Sequence, residues 1–218
     1  MLESHQSIGI NLEQRTNDHF GCTILHIACF LCGYDIVELV ANALKDIKSD
    51  IDFDTQDLNG ITPIHYSCRS RSSDVAIQIL TRYPHLINDD HYGRSMLHCA
   101  CEHGNMNLIK FIFGNSSFDI DYNAVDDDGN TPLHLACIKG RFEVVKYLLE
   151  EANEKGIDIA KKNMMGQTAE DLARNNGYTN VLALFKMKLS AIMQTALIAS
   201  IIPIGLIIFR KCHALFKN

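Results

Sequence analysis

The chain has 218 residues, 47% of them hydrophobic, and this composition excludes a disordered polar chain and leaves enough apolar side chains for a core. Arg210, Lys211 and Lys217 are the charged residues after position 189, so the first 189 residues hold 17 basic and 26 acidic side chains. This acidic body argues against a nucleic-acid partner, because neutralising phosphates requires clustered Lys and Arg.

The N-terminal segment, residues 1–17, has no basic region followed by an apolar stretch, so no cleaved signal peptide is predicted. Eight cysteines without such a signal indicate reduced thiols rather than a disulfide framework. We expect residues 1–17 to form a partial N-terminal cap on the domain that follows.

A repeating pattern organises residues 18–189. Each copy opens with Asp or Asn, reaches a glycine three residues later, and has Thr or Ser two residues after the glycine. The glycines are Gly21, Gly60, Gly93, Gly129 and Gly166, with spacings of 39, 33, 36 and 37 residues. The five copies are predicted near 18–56, 57–89, 90–125, 126–162 and 163–189.

The fourth copy shows what one unit should fold into. Asp126 and Gly129 favour a tight turn, because Asp bonds nearby backbone and Gly tolerates positive φ. Thr131 is a helix N-cap residue, and Pro132 suits the first helical position, where a missing N–H costs nothing. Gly140 ends this short helix. A second apolar-striped helix follows, and stacked copies of such a pair can bury what one pair cannot.

The sequence Thr131-Pro132-Leu133-His134 resembles the signature of the ankyrin repeat, and looser versions begin at Thr23, Thr62 and Ser95. The resemblance implies an all-α fold, an ankyrin-repeat α-solenoid of helix-turn-helix units with β-hairpin loops. In the fifth copy Asp171 replaces the signature histidine, and Arg174 replaces a small residue. A more polar outer face is what the end of a solenoid requires.

Four copies contain the spacing His-x-x-Cys, and both residue types are zinc ligands. Equivalent residues in adjacent repeats should lie roughly 10 Å apart, the usual helix-packing distance, so two pairs cannot converge on one ion. We therefore interpret the histidines as structural and the cysteines as small buried side chains. No metal, no cofactor and no catalytic residue is predicted, and no nucleotide-binding or kinase motif is present. The pairs are His26 and Cys29, His65 and Cys68, His98 and Cys101, and His134 and Cys137.

Residues 190–209 form a stretch of 20 residues without a charge, which is long enough to cross a hydrocarbon core as a helix. We predict a transmembrane helix there, followed by a short basic tail at 210–218. This predicts a single-pass membrane protein on the cytoplasmic face of the endoplasmic reticulum or the outer mitochondrial membrane. The alternative is an apolar helix that caps the solenoid.

The ankyrin resemblance implies a non-catalytic protein–protein interaction scaffold or adaptor, here tethered to a membrane through residues 190–209. One alternative is a soluble cytosolic adaptor or inhibitor, and another is a fragment of a larger ankyrin-containing membrane channel or acyl transferase. By register with the family, partner proteins should meet the hairpin tips and the exposed positions of the first helices. The predicted partner-binding residues are Phe20, Phe30, Leu31, Leu58, Ile61, Arg69, Tyr92, Arg94, Glu102, Asp127, Asn130, Ile138, Lys139 and Met164.

Overall fold

The structure, a computed structural model, describes residues 15–16, 19–31, 33–47, 53, 55–69, 74–87, 92–191 and 193. Over these residues the chain forms consecutive helix pairs, each preceded by a turn, as the repeat pattern predicts. Most of the predicted N-terminal cap, residues 1–14 and 17, lies outside the described residues. The helices are α1 (Ile24–Leu31), α2 (Tyr34–Ile47), α3 (Pro63–Arg69), α4 (Asp74–Arg82), α5 (Met96–His103), α6 (Met106–Gly114), α7 (Pro132–Ile138), α8 (Phe142–Lys155), α9 (Ala169–Asn175) and α10 (179–191), with a 3-10 helix at Pro84–Ile87.

The helices form two layers. The first helices of the repeats pack in the order α1, α3, α5, α7 and α9, and α2, α4 and α6 pack in sequence beside them. The core lies between the layers, and burial of its apolar side chains is the main stabilising contribution. The signature position before each histidine is almost fully buried, with Leu25, Ile64, Leu97 and Leu133 at most 2% exposed. The predicted all-α solenoid is thus confirmed in its helical architecture.

The predicted β-hairpin loops are tight turns without a strand ladder. In the fourth repeat the Asp126 N–H donates to the Asn130 carbonyl at 3.0 Å, and the Gly129 N–H donates to the Asp126 carbonyl at 2.8 Å. Between the described residues, pairing beyond such turns is limited to an isolated bridge between Lys162 and Thr168. The expected hairpins are therefore correct in position, but they are too short to form strands.

Backbone hydrogen bonds join the tips of neighbouring turns. The Leu58 N–H donates to the Phe20 carbonyl at 2.8 Å, and the Met164 N–H donates to the Asp128 carbonyl at 3.0 Å. The positions of the second and fifth tips are therefore set by the preceding repeat as well as by their own turns. This matters for function because the spacing between tips becomes part of the fold.

The predicted membrane span needs correction. Within the described ranges, the longest helices are α2 and α8, with 14 residues each, which is about 21 Å against a hydrocarbon core of about 30 Å. In the part of the chain that the structure describes, no helix combines the length and the apolar character needed to cross a bilayer. The assignment as a single-pass protein of the endoplasmic reticulum or the outer mitochondrial membrane was therefore wrong on this finding. Residues 192 and 194–218 lie outside the described residues.

Two glycines with the same backbone conformation differ in their surroundings. Gly129 has φ +75°, and a Cβ built on it would lie 2.8 Å from the Met164 backbone nitrogen of the next turn. Gly166 has φ +73°, and a Cβ there would meet no atom within 4 Å. Both glycines therefore have a positive φ, but of the two it is Gly129 that has a following turn packed closely against it.

We predict that Gly129→Ala destabilises the fold more than Gly166→Ala. Both alanines have to adopt positive φ, which costs about 1–2 kcal/mol, and Gly129→Ala must also displace the Met164 backbone. The free energies of unfolding, measured by urea titration, should therefore differ between the two variants. Asp127→Ala, at an exposed tip, serves as a control with little effect. Equal losses for the two glycine variants would show that the neighbouring turn can move away at no cost.

Candidate partner-binding surface

Each signature histidine links the start of its own helix to the next turn. His134 Nδ1 accepts from the Thr131 N–H at 3.1 Å and lies 2.7 Å from Thr131 Oγ1. Since a backbone N–H can only donate, Nδ1 is the acceptor and the proton sits on Nε2. His134 Nε2 therefore donates to the Gln167 carbonyl of the next repeat at 3.2 Å. The equivalent forward bonds run from His26 to Ile61, from His65 to Arg94 and from His98 to Asn130, at 2.9, 3.0 and 3.1 Å.

The fifth repeat keeps the cap and lacks the forward link. Asp171 Oδ2 accepts from the Thr168 N–H at 3.1 Å and from Thr168 Oγ1 at 2.7 Å, which reproduces the role of a histidine Nδ1. An ionised carboxylate has no proton with which to reach a later turn. Asp171 therefore suits a repeat with no following turn among the described residues.

Burial favours the neutral form of His26 and His134. Desolvation lowers the pKa of His26 and of His134, and the hydrogen bonds to the carbonyls of Ile61 and Gln167 oppose this only in part. In the neutral form each ring donates once and accepts once, as the geometry requires. The ring nitrogens of both histidines are thus committed to structural bonds, which supports the interpretation of the pairs as part of the fold.

The cysteines of the His-x-x-Cys pairs are core residues. Cys29, Cys68, Cys101 and Cys137 are at most 1% exposed. Burial raises the pKa of the last three thiols, which disfavours the thiolate needed for nucleophilic attack or metal binding. Among the residues that the structure describes, no group of three or more His, Cys, Asp or Glu side chains converges on one point.

Cys22 lies outside the periodic position and is also buried. Its thiol donates to the Tyr66 hydroxyl at 3.4 Å, and that hydroxyl donates to Asp57 Oδ2 at 2.7 Å. The same carboxylate accepts from the Ile61 N–H at 2.9 Å through Oδ1. The chain of bonds fastens the second turn to α3, so it is a structural element beneath the surface.

Large apolar side chains lie exposed at the turn tips. We call Phe20, Leu58, Tyr92 and Met164 the tip row, and they are 52%, 68%, 38% and 77% exposed. Backbone bonds between neighbouring tips hold this row, as described for Leu58 and Met164. Exposed apolar side chains in a row on a rigid support are typical of a protein-binding surface.

Helix α1 adds further exposed apolar side chains, and two of them were predicted to bind a partner. Phe30 and Leu31, at the end of α1, are 42% and 70% exposed. Phe30 contacts the Tyr66 ring edge-on, with a centroid distance of 6.1 Å, so it is partly oriented by the second repeat. Of the remaining predicted residues, Arg69, Asp127 and Lys139 are exposed, and Arg94, Glu102 and Ile138 are half-buried.

Two predicted partner-binding residues are not on the surface. Ile61 is 7% exposed and Asn130 is 6% exposed. The forward bond of the preceding histidine draws each of these residues inward, since it ends on their carbonyls. In addition, Asn163 Nδ2 donates to the Asn130 side-chain oxygen at 3.0 Å. The predicted exposure of Ile61 and Asn130 was therefore wrong.

One residue on this face was missed from the sequence. Arg141, which follows the glycine after α7, donates from Nε to the Glu102 carbonyl at 2.9 Å across the boundary between repeats. Its position after a helix, in a loop between the two helices of one repeat, marks it only as a polar linker residue. Its neighbours become visible only when the repeats are stacked.

Residues 97–149, which span most of the third and fourth copies, match the family model described as ankyrin repeats in many copies. The match extends from the second residue of α5 to the middle of α8. It confirms the resemblance drawn from the signature residues. No curated protein matches the chain significantly.

We predict that the buried histidines His26 and His134 make the fold less stable in mild acid. Their pKa is lowered in the fold, so below the unfolded value of about 6.5 the unfolded chain binds protons that the fold does not. Each such histidine should remove up to about 1.4 kcal/mol of stability for every pH unit below that value. The variant His134→Gln lacks the pH-dependent contribution of His134. The difference in the free energy of unfolding between wild type and variant should therefore decrease as the pH falls.

The measurement is a series of urea titrations of wild type and His134→Gln between pH 8 and pH 5. From pH 8 to pH 7 the difference should change by less than about 0.2 kcal/mol, because the histidine is mostly neutral in both states there. Taking the difference between the free energies of unfolding of the two proteins at each pH cancels the contribution of the carboxylates. A difference that grows on acidification would mean that His134 is protonated in the fold, contrary to the assigned tautomer.

Proposed function

We propose that this chain, an ankyrin-repeat protein, acts as a non-catalytic adaptor or scaffold that binds another protein through the tip row and the exposed end of α1. The observation that carries the proposal is the tip row itself. Four large apolar side chains are exposed at the first, second, third and fifth turns, and backbone hydrogen bonds join neighbouring tips at Leu58 and Phe20 and at Met164 and Asp128. A binding surface with this rigidity loses little conformational entropy when a partner docks.

The chemistry of the described side chains supports a binding role rather than catalysis. The periodic thiols are buried with raised pKa values, and His26 and His134 use both ring nitrogens to hold neighbouring repeats together. A catalytic nucleophile needs an accessible, activated group with a base in hydrogen-bond reach. The exposed side chains of the tip row, in contrast, are apolar anchors of the kind that dominate binding energy at interfaces.

We predict that a photo-crosslinking residue placed at Leu58 captures a partner protein, and that the same residue placed at Lys146 does not. Leu58 belongs to the tip row, and Lys146 is exposed on α8 in the second-helix layer. The full-length protein carrying either substitution is irradiated in extract of its native cells, and adducts are compared by mass shift. Equal labelling at the two positions would contradict a binding surface at the tips.

We also predict that Phe30→Ala combined with Leu31→Ala weakens capture at Leu58 and leaves the fold intact. Both side chains are substantially exposed, so their loss removes contact area with a partner and little core packing. The free energy of unfolding should change by less than about 1 kcal/mol. Unchanged capture would exclude the end of α1 from the interface, and global unfolding would show that these residues are part of the core.

A further inference from the structure

Cationic side chains from successive repeats surround one carboxylate beside the tip row. Arg94 Nη1 and Lys139 Nζ each lie 3.3 Å from a carboxylate oxygen of Glu102. Arg141 Nε donates to the Glu102 carbonyl at 2.9 Å. We call Arg69, Arg94, Lys139, Arg141 and Glu102 the basic cluster. The carboxylate balances one of its four positive charges, so an excess remains.

Arg69 belongs to the second repeat, and its charge acts on the end of α5, the helix that carries Glu102. It lies at the end of α3, which packs against α5, and its guanidinium carbon is 5.7 Å from the Tyr66 ring centroid. Burial is the largest cause that lowers the pKa of His103, at the end of α5. The charges of Arg69 and Arg141 lower it further, and Glu102 opposes them. Both arginines therefore lie close enough to the end of α5 for their charges to act on His103.

The structure holds two of these cations in place before any partner binds. The Arg94 guanidinium carbon lies 5.0 Å from the Tyr92 ring centroid, a cation–π distance, and its side chain is 20% exposed. The Arg141 stem crosses the turn at Gly104, where a Cβ would lie 3.1 Å from Arg141 Cδ. A charge oriented in advance binds an anion with less loss of side-chain entropy.

The sign of the cluster is opposite to that of the chain. The protein has a net charge of −6, and the exposed Asp127 and Asp128 lie at the next turn tip. These Arg and Lys residues are grouped at one place on an otherwise acidic protein. They therefore favour a partner group with a small, localised negative charge. An extended polyanion would meet more of this acidic tip than a single carboxylate would.

We propose that the basic cluster binds an acidic side chain in a segment of the partner protein, with a neighbouring apolar side chain of that segment lying on Tyr92. This inference rests on the proposed function and names the chemistry of the partner. Arginine guanidinium groups suit carboxylates, because two N–H groups can donate in parallel to the two oxygens. Tyr92 supplies the apolar contact directly beside Arg94, so the segment is recognised as an acidic residue adjacent to a large hydrophobic one.

The test uses the full-length protein and pools of short, end-blocked synthetic peptides, with binding measured by fluorescence anisotropy. Each pool has a central Glu, Gln or Lys next to a fixed Leu, and neutral residues vary elsewhere. The Glu pool should bind about tenfold more tightly than the Gln pool, as expected for a charged hydrogen bond. Arg69→Gln combined with Lys139→Gln should abolish this preference.

The matched control is Lys110→Gln combined with Lys146→Gln. It removes the same two charges from exposed positions on α6 and α8 and should keep the preference for the Glu pool. Equal binding of the Glu and Gln pools by wild type, or absence of binding to either pool, would overturn the proposal. So would an unchanged preference in the Arg69 and Lys139 variant. If wild type binds a single-stranded oligouridine more tightly than the Glu pool, and this binding requires Arg69 and Lys139, the ligand of the cluster is a nucleic acid and not a protein segment.

Crosslinking at Leu58 separates this inference from the proposed function. If Arg69→Gln combined with Lys139→Gln still forms the Leu58 adduct at wild-type yield, the cluster does not bind the partner and the adaptor function stands. If wild type itself forms no adduct at Leu58, the proposed function fails whatever the peptide pools show. A lower adduct yield in the Arg69 and Lys139 variant, with full yield in the Lys110 and Lys146 control, supports both.

Discussion

The hydrogen bond from a histidine Nε2 to a carbonyl of the next turn is the interaction on which the rest of this structure depends. It couples the cap of one helix to the position of the following repeat, because Nδ1 of the same ring accepts from the capping residue. The four histidines make this link four times in the same way. The turns are therefore placed by the preceding helices, and the tip row takes its spacing from a buried network.

The same interaction explains why the fifth repeat departs from the pattern. Without a later turn among the described residues, a forward donor has no acceptor, and Asp171 supplies the cap alone. Glu170 occupies the position equivalent to Leu133 of the fourth repeat, and Leu133 is only 2% exposed. Gly166 has the same φ as Gly129 and no neighbour to approach it. Each of these changes removes a feature that only a following repeat would use.

The parts of the fold that local chemistry determines could be predicted from the sequence. Thr131 and Pro132 marked a helix start, and the small periodic Cys137 was expected in the core, because these roles depend on residues within one repeat. The exposure of Ile61 and Asn130 was not predictable in this way. Their burial follows from bonds donated by histidines about one repeat earlier. Arg141 was missed for the same reason, since its contact with Glu102 exists only across a repeat boundary.

Tyr92 is where the two kinds of surface meet. Its ring is 38% exposed as part of the tip row, and the same ring lies 5.0 Å from the guanidinium of Arg94 in the basic cluster. Its carbonyl accepts from the Asp127 N–H at 3.1 Å, which ties both features to the fourth turn. Apolar contact and charge recognition are thus supported by one rigid side chain on one stack of repeats. In the proposed binding mode, a partner that docks on the tips would come within reach of the cations, so that shape and charge would select the same segment together.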